Sequence, residues 1–293
     1  MRHPFSLLAA SLAVAAAAPA VAQSAPTALP PDAGAAATNA ETGGDSITVG
    51  AGAVYLPDYE GSNDYRFTPA PGAIGSFRGF NFTLAGNRFS VDLIPNRPGP
   101  GVDVQFGPIG VLNLNRTNAE NIDDARVRAL GERNTAIELG GFVGIGKTGI
   151  ITSDYDRLSV SVSYRHDVNG GHGSGILQPT INYLTPLSRK AAVALFVSAE
   201  RTERGYADAY YSVTPAQALA SGLPAYSARG GWKNYTIGGV GTVSLTGDLF
   251  RGFKLVAGGT YSRLLNGFSY SPVVRTAGRP SQWLAAVGLA YTF

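Results

Sequence analysis

The sequence predicts an all-β fold, an antiparallel transmembrane β-barrel of a Gram-negative outer membrane, on three observations. The amino end reads as an export signal. About ten-residue segments with alternating apolar and polar side chains recur down the chain. Beyond the signal, no run of about 18 apolar residues exists that could cross a bilayer as a helix.

The export signal consists of Arg2 and His3, an apolar run from Phe5 to Ala18, and Ala20-Val21-Ala22 as a small-residue cleavage site before Gln23. Residues 23–46 follow, rich in Ala, Pro, Gly, Thr and Asn. They carry too little bulky apolar surface to offset the entropy of ordering and are expected to be a disordered periplasmic leader. The barrel is expected to occupy residues 47–293 without another linker.

Composition narrows the classes. The chain has no cysteine, which excludes a disulfide scaffold and thiolate metal sites. A net charge of +3 is too balanced for a nucleic-acid binder. Glycine numbers 38 and aromatics make up 10%, totals that suit half-polar, half-apolar strands but that a soluble sandwich could share.

The alternation is clearest at Leu158, Val160, Val162 and Tyr164, which oppose Ser159, Ser161, Ser163 and Arg165. The same period places Val102, Val104 and Phe106 opposite Asp103 and Gln105, and Leu177, Ile181 and Tyr183 opposite Gln178, Thr180 and Asn182. The polar face implies a hydrated or hydrogen-bonded lumen. In order, the expected strands are 47–56, 67–77, 79–85, 88–94, 101–114, 136–149, 157–168, 175–187, 191–203, 234–247, 253–266 and 283–293. Gly86-Asn87 could be a turn between two strands or a bulge within one, and ten or fourteen strands stay open beside twelve.

Parity favours twelve. Bacterial barrels keep both ends in the periplasm, with short inner turns and long outer loops. Counting back from Phe293, the long connections 267–282, 204–233 and 115–135 fall outside. The connection 57–66 joins them only if Gly86-Asn87 is a turn. Two outer loops carry helix signals: Thr214-Pro215-Ala216-Gln217 supplies an N-cap, a first-turn proline and a capping-box glutamine, with Gly222 as a stop, and Asp123-Asp124 opens a similar stretch to Gly131. Such helices could plug the mouth or merely order a loop.

The last strand, Trp283 to Phe293, carries bulky apolar groups at every second residue and ends on an aromatic. Tyr291 and Phe293 are expected to be read by the barrel-assembly machinery. Arg201 and Arg263, on apolar faces near the outer rim, are candidates for contact with lipopolysaccharide phosphates, although a generic interfacial arginine is the simpler account. Arg88, Asp92, Asp103, Glu138, Arg165, Glu200 and Lys254 fall on polar faces and are candidate lumen residues.

Catalysis has one candidate location. The stretch Tyr164 to Gly175 gathers the types needed for acyl transfer, with Ser174 as nucleophile and His166 or His172 as base. It spans a strand end and a glycine-rich loop, so these residues need not face one another, and a polar loop is the expected reading. His166, His172 and Asp167 make a nonspecific metal set. Gly140 to Gly146 imitates a nucleotide-binding pattern but lacks a following helix, so close packing or barrel curvature explains it better. No enzymatic activity, cofactor or metal is expected.

A resemblance adds to this reading. Tyr210 to Tyr226 (YYSVTPAQALASGLPAY), Gly230-Gly231, Tyr261-Ser-Arg-Leu-Leu265, Ser271-Pro-Val-Val274 and Tyr291-Thr-Phe293 closely resemble motifs of the MipA/OmpV family of outer-membrane proteins. Gly50-Ala-Gly52, Tyr55-Leu-Pro57 and Tyr59-Glu-Gly-Ser62 look like its opening motif. The match runs over nearly all of the chain from Ile47, least clearly at 115–133. It implies an outer-membrane barrel without catalytic residues. One relative is described as a scaffold between a murein hydrolase of the lytic transglycosylase type and a peptidoglycan synthase; others are implicated in adhesion and in osmotic or antibiotic response. The expectation is an envelope scaffold or interaction protein in contact with outer-membrane lipid. A narrow channel for small solutes is the alternative, and a lipid-active enzyme the third reading.

Overall fold

The computed structural model describes residues 45–95 and 100–293, so the signal segment and the leader as far as residue 44 lie outside the described residues. Twelve antiparallel strands close into one barrel in which each strand pairs with its sequence neighbours and the first pairs with the last. They are β1 (Ser46–Pro57), β2 (Tyr65–Phe77), β3 (Phe80–Ala85), β4 (Arg88–Asp92), β5 (Gly101–Asn113), β6 (Ala136–Thr148), β7 (Arg157–Asp167), β8 (Gly175–Ser188), β9 (Ala191–Thr202), β10 (Gly231–Ser244), β11 (Gly252–Leu264) and β12 (Ser281–Thr292). Closure satisfies backbone donors and acceptors that lipid cannot.

Gly86-Asn87 is a turn. Ala85 pairs with Arg88, and Gly86 sits at φ 58°, a conformation that glycine supplies at the first position of a two-residue hairpin loop. The strand count and the outer placement of the long loops follow from it.

The faces divide as the alternation predicts. Val104, Phe106, Val160, Val162, Val287 and Leu289 are exposed on the outside, while Ser159, Ser161, Ser163 and Arg165 are buried within. Two aromatic girdles mark the interfaces. The outer one includes Tyr55 stacked on Tyr65 at 5.2 Å and Tyr261 against Trp283 at 4.9 Å; the inner one includes Phe253 against Tyr291 at 4.8 Å and Tyr291 against Phe293 at 4.9 Å. From Phe253 to Tyr261 β11 runs nine residues, within the about 9–11 that a tilted strand needs to cross the bilayer.

Short helices on the outer loops pack inward as a plug: α1 (Ala125–Arg128), α2 (Arg204–Tyr211), α3 (Pro215–Ser221), α4 (Asn266–Tyr270) and α5 (Pro272–Arg275). Thr214 and Gln217 form the expected capping box on α3, and Gly222 ends it at φ 72°. Asp124 caps α1. One buried cluster joins Tyr59, Ile122, Val127, Leu130, Val213, Leu223 and Val273; another joins Ile176, Tyr206, Tyr210, Tyr211, Leu264, Phe268 and Val274. The loop helices thus belong to the core.

At the inner rim, the turn between β6 and β7 is organised by Asp156. Its carboxylate accepts the N–H groups of Ile150 at 2.7 Å, Ile151 at 2.9 Å and Thr152 at 2.5 Å, and the Tyr183 hydroxyl at 2.8 Å. Burial works to raise its pKa, but these donors outweigh it and hold the carboxyl below the ordinary aspartate range. A depressed folded-state pKa stabilises above the unfolded value of 3.8 and is lost as pH falls through the folded value. Asp156→Asn, which sets an amide N–H against these donors, is expected to lower the melting temperature at pH 7. The gap to wild type should narrow below pH 4, as thermal melts followed by circular dichroism would show.

Candidate functional site

The inward polar residues of β4 to β10 converge on one buried network beneath the plug. Arg165 donates from Nε to Glu138 at 2.5 Å and from Nη2 to Glu200 at 2.8 Å, and Glu200 also pairs with Lys233 at 2.7 Å. Lys233 reaches Glu60 of the β1–β2 loop at 2.5 Å. Glu60 accepts the hydroxyls of Tyr206 at 2.7 Å and Tyr211 at 2.8 Å, both on α2. Gln178 accepts from Arg88 at 2.9 Å and from Arg165 at 3.1 Å. Three carboxylates, Glu60, Glu138 and Glu200, therefore pair with two cations, Arg165 and Lys233, Arg88 joins through Gln178, and the chain of contacts runs from barrel wall to plug.

A bulge supplies the central cation. The β9–β10 register slips between Trp232 and Asn234, leaving Lys233 as an extra residue that turns inward with Asn234 instead of outward. β10 consequently begins at Gly231 rather than at the expected Asn234. The Lys233 ammonium also lies 4.7 Å from the centre of the Tyr206 ring. Burial, with the charge of Glu60 added, pushes the Tyr206 and Tyr211 hydroxyls well above the ordinary tyrosine value, so both remain donors to Glu60.

Arg116, in the β5–β6 loop, is fully buried. It donates to the carbonyl of Tyr210 at 3.2 Å, at the C-terminal end of α2, and to Gly131 at 3.3 Å. Burial lowers its pKa to about 10.

Ser174 and His172 do meet. His172 Nδ1 is 3.1 Å from Ser174 Oγ, and its Nε2 is 3.2 Å from Glu138 Oε1, which also accepts from Asn113 at 2.9 Å. An ionised carboxylate can only accept, so Nε2 carries a proton toward Glu138. This order of groups activates a serine in acyl transfer. Here, however, Ser174 Oγ also accepts the Tyr206 N–H at 2.8 Å, and a Cβ placed at Gly205 would lie 3.2 Å from Oγ and 2.4 Å from the His172 carbonyl oxygen. The first turn of α2 thus sits on the hydroxyl, and the trio latches the plug to the β7–β8 loop.

His166 projects outside the barrel, away from this trio. Asp167 accepts the N–H groups of His172 at 2.6 Å, Gly173 at 2.7 Å and Asn169 at 3.1 Å, shaping the loop. In the glycine-rich stretch of β6, a Cβ at Gly140 would lie 1.9 Å from the Tyr164 carbonyl oxygen, so close packing between β6 and β7 accounts for that glycine.

The remaining candidates are dispersed. Asp103 pairs with Arg157 toward the inner rim, and Asp92 accepts the N–H groups of Ile94 and Phe106, each at 3.1 Å. Lys254 lies on the opposite wall, buried and donating to the Thr292 hydroxyl. Arg201 and Arg263 project outward at the outer girdle, across from Trp232 and Tyr235. Tyr291 and Phe293 belong to the inner girdle. Sequence reading missed Glu60, Lys233, Tyr206 and Tyr211: three lie in the loops or plug, and the bulge reverses the face on which alternation would place Lys233.

Removing one member of a buried ion pair leaves the other uncompensated, at a cost of about 3–5 kcal/mol. Lys233→Met is expected to destabilise the barrel by that order. In the double variant with Glu60→Gln the losses should fall short of their sum, because the two groups share one interaction. Unfolding titrations of the four proteins in lipid test this.

The family model described as MltA-interacting protein MipA matches residues 49–293. No curated protein matches. Among solved structures, the outer membrane channel DcaP of Acinetobacter baumannii is 9% identical with a TM-score of 0.38, over 85% of this chain and 96% of that one. The CymD monoaromatic hydrocarbon channel is 10% identical with a TM-score of 0.37, over 85% and 88%. The Pseudomonas putida toluene transporter TodX is 9% identical with a TM-score of 0.34, over 85% and 89%. Likeness this distant says nothing of what crosses or binds the present barrel. The family match, spanning every strand from Val49 onward, shows that this chain belongs to the MipA family of MltA-interacting proteins and resides in the outer membrane as a β-barrel.

Proposed function

We propose that the protein is a non-enzymatic interaction protein of the cell envelope, a closed barrel that serves as a scaffold and not as an open pore. The observation that carries this reading is the buried network: Glu60, Lys233, Glu200, Arg165 and Glu138 tie the β1–β2 loop to strands β6, β7, β9 and β10. A barrel built to conduct would keep such charges along a hydrated path. Here they pair with one another beneath two apolar clusters. The covered Ser174 hydroxyl supports the non-enzymatic part. The family's name supplies the partner class, a murein hydrolase, which the inner turns and the residues preceding Ser46 would meet.

Reconstituted in planar bilayers, the full chain is expected to show no discrete conductance, and cross-linking in intact envelopes should recover a murein enzyme. Reproducible ion-selective steps would overturn the closed-barrel reading. A cross-linked set without any murein enzyme would overturn the scaffold reading.

A further inference from the structure

The other half of the lumen is built differently. Midway along β11, β12, β1 and β2 the inward positions are small, and successive ladder rows read Val256, Gly288, Gly52, Ala70 and then Gly258, Ala286, Val54, Thr68. Side chains this short cannot fill the barrel, and a cavity of about 290 Å³ remains. Leu249, in the inner turn between β10 and β11, lies at one end of it, and Leu56 and Leu284 lie toward the plug.

One charge enters this space. Lys254 lines the cavity with only 3% of its surface exposed, in the row that continues through Ala290, Gly50, Gly72 and Ala85. Its ammonium donates to Thr292 Oγ1, which is itself 2.6 Å from Thr48 Oγ1. Among the described residues it forms no ion pair. Asp248, in the adjoining turn, accepts the N–H groups of Phe250 and Arg251 instead. An ammonium has three donors, and a buried one is costly unless a counter-charge meets it.

The wall beside this cavity has a gap. Residues 65–71 of β2 pair with β1, but the β2–β3 ladder starts only at Gly72, because β3 and β4 form a short hairpin. Pro69 lies on this unpaired stretch, where a proline leaves no N–H unsatisfied in lipid, and Pro71 closes it, its carbonyl accepting the Gly86 N–H at 2.9 Å. Both prolines line the cavity, as do Gly86 and Asn87 at the hairpin tip. The cavity therefore borders this unpaired stretch of the wall.

We propose that this half of the lumen binds a single-chain amphiphile with a carboxylate head, a free fatty acid, which passes from the bilayer through the gap beside β2. Lys254 pairs with the carboxylate, and the Gly-, Ala- and Val-lined wall holds the alkyl chain. A neutral alcohol of equal length would leave the ammonium unpaired, and a hydrophilic solute would find an apolar wall. This site does not depend on whether the protein is a scaffold, since it lies apart from the charged network and needs no open pore.

The test uses the full chain in lipid nanodiscs, labelled with ¹⁵N at its lysines (Lys147, Lys190, Lys233 and Lys254) and titrated with carboxyl-¹³C decanoate under solid-state NMR. The expected result is one saturable carboxyl resonance, absent from empty nanodiscs, with a dipolar contact to a single lysine Nζ. Lys254→Met should abolish the contact and weaken binding by about tenfold or more. Ala194→Phe, which fills the cavity, should block binding with Lys254 intact, and decanol should not compete. A carboxyl signal no different from empty nanodiscs, or an isotherm unchanged in Lys254→Met, would overturn the proposal. Should Lys254→Met fail to fold, as judged by heat-modifiable gel mobility, unchanged binding in Ala194→Phe or effective competition by decanol would overturn it on folded protein.

Discussion

Charges buried in a barrel must find one another, and in this lumen they do so across the boundary between wall and loops. Glu60 comes from the first outer loop, Lys233 from a bulge in β10, and Arg165 with Glu138 and Glu200 from inward positions of regular strands. Each carboxylate also takes further donors: Glu60 accepts two tyrosine hydroxyls, and Glu138 accepts Asn113 and His172. A partly satisfied network would be worse than an apolar filling. The position of α2 therefore follows from the chemistry: its tyrosines complete the shell of Glu60, and its first turn closes over Ser174. The apolar clusters add burial, and the ionic chain sets the seat on which they pack.

That concentration of polar groups leaves the barrel lopsided. From β4 to β10 most inward residues are polar, chiefly Ser, Thr, Asn, Gln, Glu and Arg, with Ile109, Val111 and Phe142 packed among them. From β11 round to β2 they are largely Gly, Ala and Val, and the interior is hollow. The prolines of β2 and the short β3–β4 hairpin fall on the hollow side, so the thinnest part of the wall borders the space least filled by side chains.

Much of the wall was legible because period-two alternation is a local property. Leu158 to Arg165 declared its faces residue by residue, and the length of the connections oriented the barrel once Gly86-Asn87 was read as a turn. The capping box at Thr214 announced α3. The site was less visible, for physical reasons. α2 has no side-chain cap at Glu203, carries Gly205 in its first turn and is rich in tyrosine, so its helicity comes from tertiary packing. Lys233 violates alternation through the bulge. Ser174 and His172 were noticed for their chemistry, but their closeness depends on a loop whose shape Asp167 fixes through backbone N–H groups. The hollow half was in the sequence as Gly50, Gly52, Gly72 and Gly288, yet glycine on a strand signals close packing as readily as empty space.

The claim that most of this rests on is that α2 is locked into the lumen as part of the core. Hydrogen–deuterium exchange of the full chain in lipid addresses it directly. The account predicts that the amides of residues 206–212 exchange as slowly as those of β7 and β9. Exchange as fast as that of an exposed loop tip, under conditions where the strands stay protected, would contradict it.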